Sequence, residues 1–302
     1  LESDPAARLV RDITVVCPSD RKVGGGRGRA DGFAPVPVKK FALKHGLPVI
    51  QTPPRMKSLK QWRPDELATE RFDVGVVVSF GYFLHEHLLA PLAMGAINMH
   101  PSLLPKYRGP APIHHALLNG DETTGVSVIE IDPKAFDVGR VLLQRRVAVP
   151  AETTLAPLAA LLADQGAQCV LETLGDLAQR KTAAVVQNDD MASHAPKLKL
   201  QDGFLTLQET ADEIYHVLCE EEHRVCVSLG QQDAFPPGSF FFDKQRHGLW
   251  LKCASHGQNQ ATGAWLLVTK LQQADRKVGL AIDFANGYRL KRSLQHFEPV
   301  AA

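Results

Sequence analysis

The chain has 302 residues, of which 44% are apolar and 22% charged, and its formal net charge is +1; these values are typical of a globular protein with one or two domains. The near-zero charge excludes a global basic field that attracts nucleic acid, so any contact with a polyanion must come from a local patch. No apolar run approaches the roughly 20 residues of a membrane helix, and the five cysteines are scattered without a C-x-x-C pair, which argues against a membrane span, a disulfide framework and a zinc site.

The first half of the chain is predicted to form a doubly wound α/β domain with a Rossmann-like parallel sheet. Residues 72–81 are a near-continuous apolar run, which is typical of a strand in a parallel sheet covered on both faces. Apolar residues at helical spacing predict one long helix over residues 153–180. Strands that alternate with short helices favour this fold class. The other strands are predicted at residues 12–18, 47–54, 95–102, 124–132 and 139–150, with a further helix at 38–46.

The second half is predicted to form a separate β-rich domain. Residues 183–203 have little periodicity and are predicted to be a linker between a first domain, 1–182, and a second domain, 204–302. A helix is predicted at 209–222, and short strand-like runs with Gly, Pro or Asn breaks follow it. That spacing indicates a small β-barrel.

The stretch INMHPSLLPKYRGPAPIHH, residues 97–115, places Asn98 and His100 at the end of a predicted strand. Open α/β sheets bind ligands at the carboxyl ends of their strands, and residues i and i+2 of a strand point to the same side. An amide is a good donor to an oxyanion, and an imidazole carries protons at neutral pH. Asp137 lies in another turn between strands, where its carboxylate could orient His100 or take up a proton. By spacing alone, a structural role for all three residues remains the alternative.

Residues 97–144 resemble the core of the folate-dependent formyltransferases. They contain, in order, the pattern N-x-H-x-S-L-L-P, the turn Y/W-R-G-x-x-P, the tripeptide T-G-V and an Asp before x-G. The resemblance implies that Asn98, His100 and Asp137 form a catalytic trio around the formyl group of 10-formyltetrahydrofolate, the expected co-substrate, without a metal. An amine would attack the formyl carbon, and preorganised donors would stabilise the oxyanion that develops.

The same resemblance implies a folate-binding segment on each of two neighbouring strand ends. Phe80 also has core packing as an alternative role. The expected folate-contacting residues are Phe80, Gly81, Tyr82, Ser102, Leu103 and Leu104.

Residues 18–53 resemble the insertion found in the methionyl-tRNA formyltransferase branch of that family, with a glycine-rich basic loop ahead of a P-V-K segment. In that branch the loop enters the acceptor arm of the tRNA. Arg27 is the matching position for a basic contact, and Arg21, Lys22 and Arg29 add charge beside it. Such a loop can follow phosphates and fold onto RNA. A solvated charged loop is the alternative.

The C-terminal part resembles the second domain of the same branch, which is an OB-like β-barrel that holds the tRNA. Residues 194–218 resemble its opening segment, and residues 283–292 resemble its closing F-x-N-G motif. Basic side chains of this domain are expected to contact phosphates, although solvated surface charges are the alternative. The candidates are Lys270, Arg289, Lys291 and Arg292.

The resemblance as a whole implies formyl transfer to the amino group of initiator methionyl-tRNA, in support of translation initiation, with no obligate protein partner. Two alternatives remain, a formyltransferase or hydrolase that acts on a small molecule and a tRNA-binding relative that has lost catalysis. The run PKAFDVG, residues 133–139, resembles mitochondrial versions and predicts the mitochondrial matrix, with the bacterial cytoplasm as the alternative. The family begins with a strand, a G-T-x-x-F-A turn and a helix, whereas this chain enters at the end of that helix. The first strand of the sheet is therefore expected to be missing.

Overall fold

The structure is a computed structural model that describes most of the first 199 residues and several short stretches after them. It describes residues 9–23, 32–150 and 153–199, together with the short stretches 225–227, 239–243, 245–252, 265–268, 270–271, 279–282 and 295–296. The chain divides into two compact units, the first made of 1–112, 123–148 and 161–196 and the second of 113–122, 149–160 and 197–302. The helix predicted at 209–222 lies outside the described residues.

The described residues up to 199 contain the predicted strands and helices in the predicted order. The predicted long helix is divided at Asp176 into two helices. The strands are β1 Val15–Cys17, β2 Arg21–Val23, β3 Gly32–Ala34, β4 Val49–Gln51, β5 Gly75–Val77, β6 Ala96–His100, β7 Thr123–Glu130 and β8 Val141–Ala148. The helices are α1 Pro37–Lys44, α2 Asp65–Thr69, α3 Glu86–Leu89, α4 Pro112–Leu118, α5 Leu155–Gly175 and α6 Leu177–Thr182, followed by a 3-10 turn at Asp189–Met191.

Helix α1 shows how local sequence sets the bounds of an element. Pro37 occupies its first position, where the missing N–H of proline costs nothing. The helix ends before Gly46, whose φ of 68° is left-handed and suits glycine at a helix C-terminus. Ala42, on its inner face, is fully buried, and the helix packs on β1 and β4.

The main sheet of the first unit is mixed. Its order is β5-β6-β7-β8, in which β5 and β6 are parallel, whereas β7 runs antiparallel to both β6 and β8. The prediction of a parallel sheet is therefore wrong for β7 and β8. The connection between these two strands, residues 131–140, is too short for the crossover that a parallel pair requires.

Strand β5 is an edge strand of this sheet. Val76, in the middle of this strand, and Val78, just beyond its end, are 44% and 49% exposed. One face of the strand is therefore open, and the prediction that both faces are covered is wrong. Strands β1 and β4 form a second, parallel pair in a sheet of their own.

The described strands of the second unit are β9 Val225–Val227, β10 Ser239–Asp243, β11 Gly248–Lys252, β12 Trp265–Val268, β13 Lys270–Leu271, β14 Gly279–Leu280 and β15 Gln295–His296. The unit has a five-stranded antiparallel sheet with the order β15-β10-β11-β12-β9 and a two-stranded sheet of β13 and β14. Phe240, Phe242, Leu249 and Ala281 form its buried apolar cluster. Within the described residues, no helix is long and apolar enough to cross a membrane.

Candidate active site

Strand β6 carries two of the predicted catalytic residues at its carboxyl end. Asn98 pairs with Val77, the last residue of the parallel strand β5, and His100 pairs with Ser127 of β7. Since side chains alternate along a strand, Asn98 and His100 project from the same face of the sheet. His100 is buried, and Asn98 is partly exposed. The amide and the imidazole therefore stand where the carboxyl ends of two parallel strands meet.

The imidazole of His100 is held between a carbonyl and a carboxylate. Its Nε2 atom lies 2.9 Å from the carbonyl oxygen of Tyr107, and its Nδ1 atom lies 3.6 Å from Oδ1 of Asp137. A carbonyl can only accept a hydrogen bond, so Nε2 carries the hydrogen. Nδ1 is consequently the nitrogen that can take up or release a proton, and it faces Asp137.

Asp137 is fixed by both its backbone and its side chain. Its φ of 57° is left-handed, which is uncommon for a residue other than glycine and is frequent at functional sites. The N–H of Gly109 donates to Oδ2 (N···O 2.9 Å), while Oδ1 is the oxygen nearest His100. The structure thus brings the end of strand β6 and the β7–β8 connection together at His100 and Asp137.

The amide of Asn98 is the third predicted catalytic group. It makes no side-chain hydrogen bond to any residue that the structure describes. Among the described residues, no hydrogen bond or ion pair joins this amide to His100 or Asp137. Its two N–H donors are therefore free, within the described residues, to meet a ligand on the shared face of β6.

The loop after β6 is held by a segment that the sequence analysis predicted to be part of a linker. Tyr107 has a left-handed φ of 64°, and its N–H donates to Oγ of Ser193 (2.9 Å). The N–H of Arg108 donates to the carbonyl of Ser193 (2.8 Å), and the N–H of Ala195 donates to the carbonyl of Arg108 (2.7 Å). Residues 183–196 therefore belong to the first unit and support the site. Their polar, aperiodic sequence gave no signal of this role.

Gly109 occupies a position that only glycine fits. Its φ is 120°, and a Cβ built there would lie 2.8 Å from the carbonyl oxygen of Ala195. Gly109→Ala is expected to lower the free energy of unfolding by about 3 kcal/mol, the upper end of the range for a strained backbone position, because the close contact adds to the strain. The measurement is equilibrium unfolding in denaturant.

Gly46→Ala is the matched control for that substitution. Gly46 also has a positive φ, 68°, but a Cβ there would meet nothing within 4 Å. The expected loss is about 1 kcal/mol, from backbone strain alone. Equal losses for the two substitutions would contradict the close contact between Gly109 and Ala195.

Two of the three residues expected to contact folate in the β6 loop are buried inside it. Ser102 Oγ donates to the carbonyl of Lys106 (2.6 Å), and Ser127 Oγ donates to the carbonyl of Ser102 (2.6 Å). The N–H of Leu104 donates to Ser127 Oγ (3.0 Å). Ser102 and Leu104 are buried, whereas Leu103 is partly exposed. In this structure Ser102 and Leu104 hold the shape of the loop through these hydrogen bonds.

Phe80, Gly81 and Tyr82 form the turn after β5. Phe80 and Tyr82 pack against a buried cluster, and their ring centroids are 5.5 Å apart; the cluster is Ile50, Leu59, Trp62 and Leu88. Tyr82 Oη donates to the carbonyl of Met56 (3.2 Å). Gly81 has a φ of 80° and is exposed. Core packing, the alternative role for Phe80, is present in the structure.

The basic insertion is carried by a β-hairpin. Strands β2 and β3 are antiparallel and flank residues 24–31, with Lys22 paired to Phe33. Arg21 is exposed. Lys270 belongs to β13. Of the other candidates for tRNA contact, the following lie outside the described residues: Arg27, Arg29, Arg289, Lys291 and Arg292.

A polar cluster fixes the base of this hairpin. Lys39 Nζ donates to both carboxylate oxygens of Asp20 (2.8 and 3.0 Å) and to Oε1 of Gln51 (2.7 Å). Gln51 Nε2 donates to Asp20 Oδ1 (2.8 Å). The hydrogen bond from Lys39, followed by that from Gln51, lowers the pKa of Asp20, so the carboxylate stays charged. The cluster ties β2 to α1 and β4.

The described residues have no cluster of potential metal ligands and include two buried thiols, those of Cys17 and Cys169. They contain no group of three His, Cys, Asp or Glu side chains that could hold a metal ion. Burial raises the pKa of the Cys17 and Cys169 thiols, which keeps both protonated.

Known proteins resemble this chain in sequence and in fold. Residues 6–174 match the family described as Formyl transferase. The methionyl-tRNA formyltransferase of Thermosynechococcus vestitus is 41% identical over 203 residues, which are 66% of this chain and 59% of that protein. The mitochondrial methionyl-tRNA formyltransferase of Homo sapiens is 36% identical over 280 residues, which are 84% of this chain and 66% of that protein. The chain thus spans less than two thirds of the length of each of these relatives.

A solved structure shares the fold. The crystal structure of an N-formyltransferase from Helicobacter canadensis, in complex with folinic acid and dTDP-3-aminofucose, superposes with a TM-score of 0.54 at 14% identity over 76% of this chain and 81% of that chain. The family match covers more than half of the chain and includes Asn98, His100 and Asp137. The chain therefore belongs to the formyl transferase family.

Proposed function

We propose that the protein transfers a formyl group from 10-formyltetrahydrofolate to the amino group of methionyl-tRNA and thereby supports translation initiation. The observation that carries this proposal is the pairing of His100 Nδ1 with Asp137 Oδ1 at 3.6 Å, beside an amide on the same face of β6. The two relatives described above have the corresponding name, and the fold is one in which another formyltransferase binds a folate.

The first step is attack of the amine on the formyl carbon. A carbon–nitrogen bond forms, and the formyl oxygen becomes an oxyanion, to which the Asn98 amide donates a hydrogen bond. The attacking nitrogen must lose a proton. His100 accepts this proton on Nδ1, because Nε2 already carries a hydrogen, which it donates to the carbonyl oxygen of Tyr107. The Asp137 carboxylate then stabilises the imidazolium.

The second step is collapse of the tetrahedral intermediate. The bond between the carbon and N10 of the folate breaks, and its electron pair returns to N10. The proton held on His100 Nδ1 passes to N10, so that the products are the formylated amine and tetrahydrofolate, and the imidazole is again neutral. Asn98 supplies the oxyanion donor and His100 supplies the proton carrier. Acyl transfer between two amines requires both.

Formylation of charged initiator tRNA is the direct test. The full-length protein is incubated with methionyl-tRNA and 10-formyltetrahydrofolate, and formyl-methionyl-tRNA is detected by acid-urea gel electrophoresis or mass spectrometry. A parallel reaction contains a nucleotide-linked amino sugar as the acceptor. Product only with the sugar would contradict the tRNA substrate. Binding of tRNA that weakens with salt, without turnover, would indicate a relative that has lost catalysis.

We propose that the β2–β3 hairpin and the second unit bind the tRNA. The rigid base at Lys39 and Asp20 and the exposed Arg21 support a role for the hairpin, whose connecting residues include two more arginines. For the second unit we propose the OB-like barrel of the family. Its expected phosphate contacts are Lys270, Arg289, Lys291 and Arg292. The antiparallel sheet of this unit supports that architecture.

Arg27→Ala is expected to raise the KM for methionyl-tRNA by about 10-fold and to reduce the slope of log affinity against log salt by about 1, the effect of losing one phosphate contact. The kcat at saturating tRNA should change little. Arg11→Ala is the matched control, because this exposed arginine is bonded only to its neighbour Asp12 among the described residues and gives the same change in charge. An equal effect of the two substitutions would contradict a specific contact by Arg27.

We also propose that the protein acts in the mitochondrial matrix. The PKAFDVG run and the human mitochondrial relative support this location, and a bacterial cytoplasm is the alternative, since the family also has bacterial members. Fractionation of the source cells, with an antibody against the chain, distinguishes the two.

A further inference from the structure

One buried glutamine connects the loop after β6 to the β7–β8 connection, which carries Asp137 of the proposed catalytic pair. Gln187 is 9% exposed, and its Nε2 donates to the backbone carbonyls of Asp137 (2.9 Å) and Gly139 (2.8 Å). Its Oε1 accepts from Nε (3.0 Å) and Nη2 (2.8 Å) of Arg108. All four hydrogen-bonding positions of the amide are therefore used, which fixes its orientation.

Arg108, the partner of this glutamine, stands between the two residues that hold the pair. The preceding residue, Tyr107, accepts the hydrogen bond from His100, and the following residue, Gly109, donates to Asp137 Oδ2. The guanidinium is buried and also contacts Asp189, Nη2 to Oδ1 at 2.8 Å. A shift of Arg108 would therefore move the contacts of both catalytic side chains.

Asp137 needs such support because its backbone is left-handed, with a φ of 57°, a strained conformation that persists only where the surrounding structure holds it. The bond from Gln187 Nε2 is made to the carbonyl of this same residue. We infer that Gln187 is a positioning residue for the reaction, which holds the Asp137 carboxylate toward His100. This inference rests on the proposed function.

The decisive variant is Gln187→Glu. A carboxylate at this position still accepts from Arg108, but it loses the two N–H donors that hold Asp137 and Gly139. The kcat for formyl transfer is expected to fall by about 10- to 100-fold, since small displacements of catalytic groups have effects of this size. The KM values for tRNA and folate should stay within about threefold, because the variant changes no substrate contact.

Thr173→Val is the control for loss of a buried hydrogen bond. Thr173 is fully buried in α5 and donates to the carbonyl of Cys169 (2.7 Å), away from Asp137 and Arg108. This variant is expected to lose some stability and to keep its kcat. An equal loss of kcat in the control would show that Gln187 acts only by stabilising the fold.

A double-mutant cycle with Asp137→Asn separates positioning from general support. If Gln187 acts through the carboxylate, adding Gln187→Glu to Asp137→Asn should lower the single-turnover rate by less than about threefold, because effects on one unit do not add. The same fold-loss in both backgrounds, or a normal kcat for Gln187→Glu alone, would overturn the inference. A normal kcat for Asp137→Asn alone would instead contradict the proposed function. Gln187→Leu, of similar volume, serves the same cycle if the glutamate variant does not fold.

Discussion

Replacement of Asn98 by alanine is expected to lower the kcat for formyl transfer by about 100- to 1000-fold, the loss typical of one oxyanion donor. In the proposed mechanism the amide stabilises charge that exists only after the amine has attacked, so the KM of either substrate should change little. The measurement is steady-state formylation with methionyl-tRNA and 10-formyltetrahydrofolate varied in turn. Asn98→Asp should lose at least as much, because it replaces a donor by a negative charge beside the oxyanion.

The stability of the Asn98→Ala variant distinguishes a catalytic role of Asn98 from a structural one. The Asn98 amide makes no hydrogen bond to the described residues, so its removal leaves no buried group without a partner. The free energy of unfolding of Asn98→Ala should therefore stay within about 1 kcal/mol of the parent. Met99→Leu, a volume-conserving change at the next position of β6, is the control and should keep its kcat. A variant at Asn98 whose kcat stays within threefold of the parent would end the oxyanion assignment.

The sequence predicted the residues of β6 better than the contacts between loops. Alternation along a strand places Asn98 and His100 on one face, and turn chemistry marks the end of the strand. The contact of His100 with Asp137 joins residues far apart in sequence, so only the family resemblance predicted it. The choice of Nδ1 as the proton-carrying nitrogen needed the observed bond between Nε2 and Tyr107.

The supporting residues could not be predicted from local patterns. Gln187 and Ser193 lie in a polar stretch without periodicity, and their function depends on long-range hydrogen bonds to Arg108 and Tyr107. Sequence periodicity also indicates which residues of a strand could be buried, but it does not show whether another element covers them. Residues 72–81 therefore predicted a strand with two covered faces, whereas Val76 and Val78 leave one face of β5 exposed.

The two oxygens of Asp137 have different partners, which makes an asparagine at this position informative. Its side-chain oxygen can still accept from the N–H of Gly109, as Oδ2 does now. Its NH2 group would then face Nδ1 of His100 and donate to the lone pair there. The neutral imidazole would be stabilised, and the imidazolium would lose its negative partner.

Asp137→Asn is therefore expected to fold normally and to lower kcat by about 100- to 10,000-fold, the range for loss of assisted proton transfer. Single-turnover formylation with both substrates bound measures the effect, and equilibrium unfolding checks the fold. Asp132→Asn is the matched control in the same loop, since its carboxylate accepts only from the N–H groups of Lys134 and Ala135 among the described residues. A rate for Asp137→Asn equal to that of the control would mean that the His100–Asp137 pair does not carry the proton.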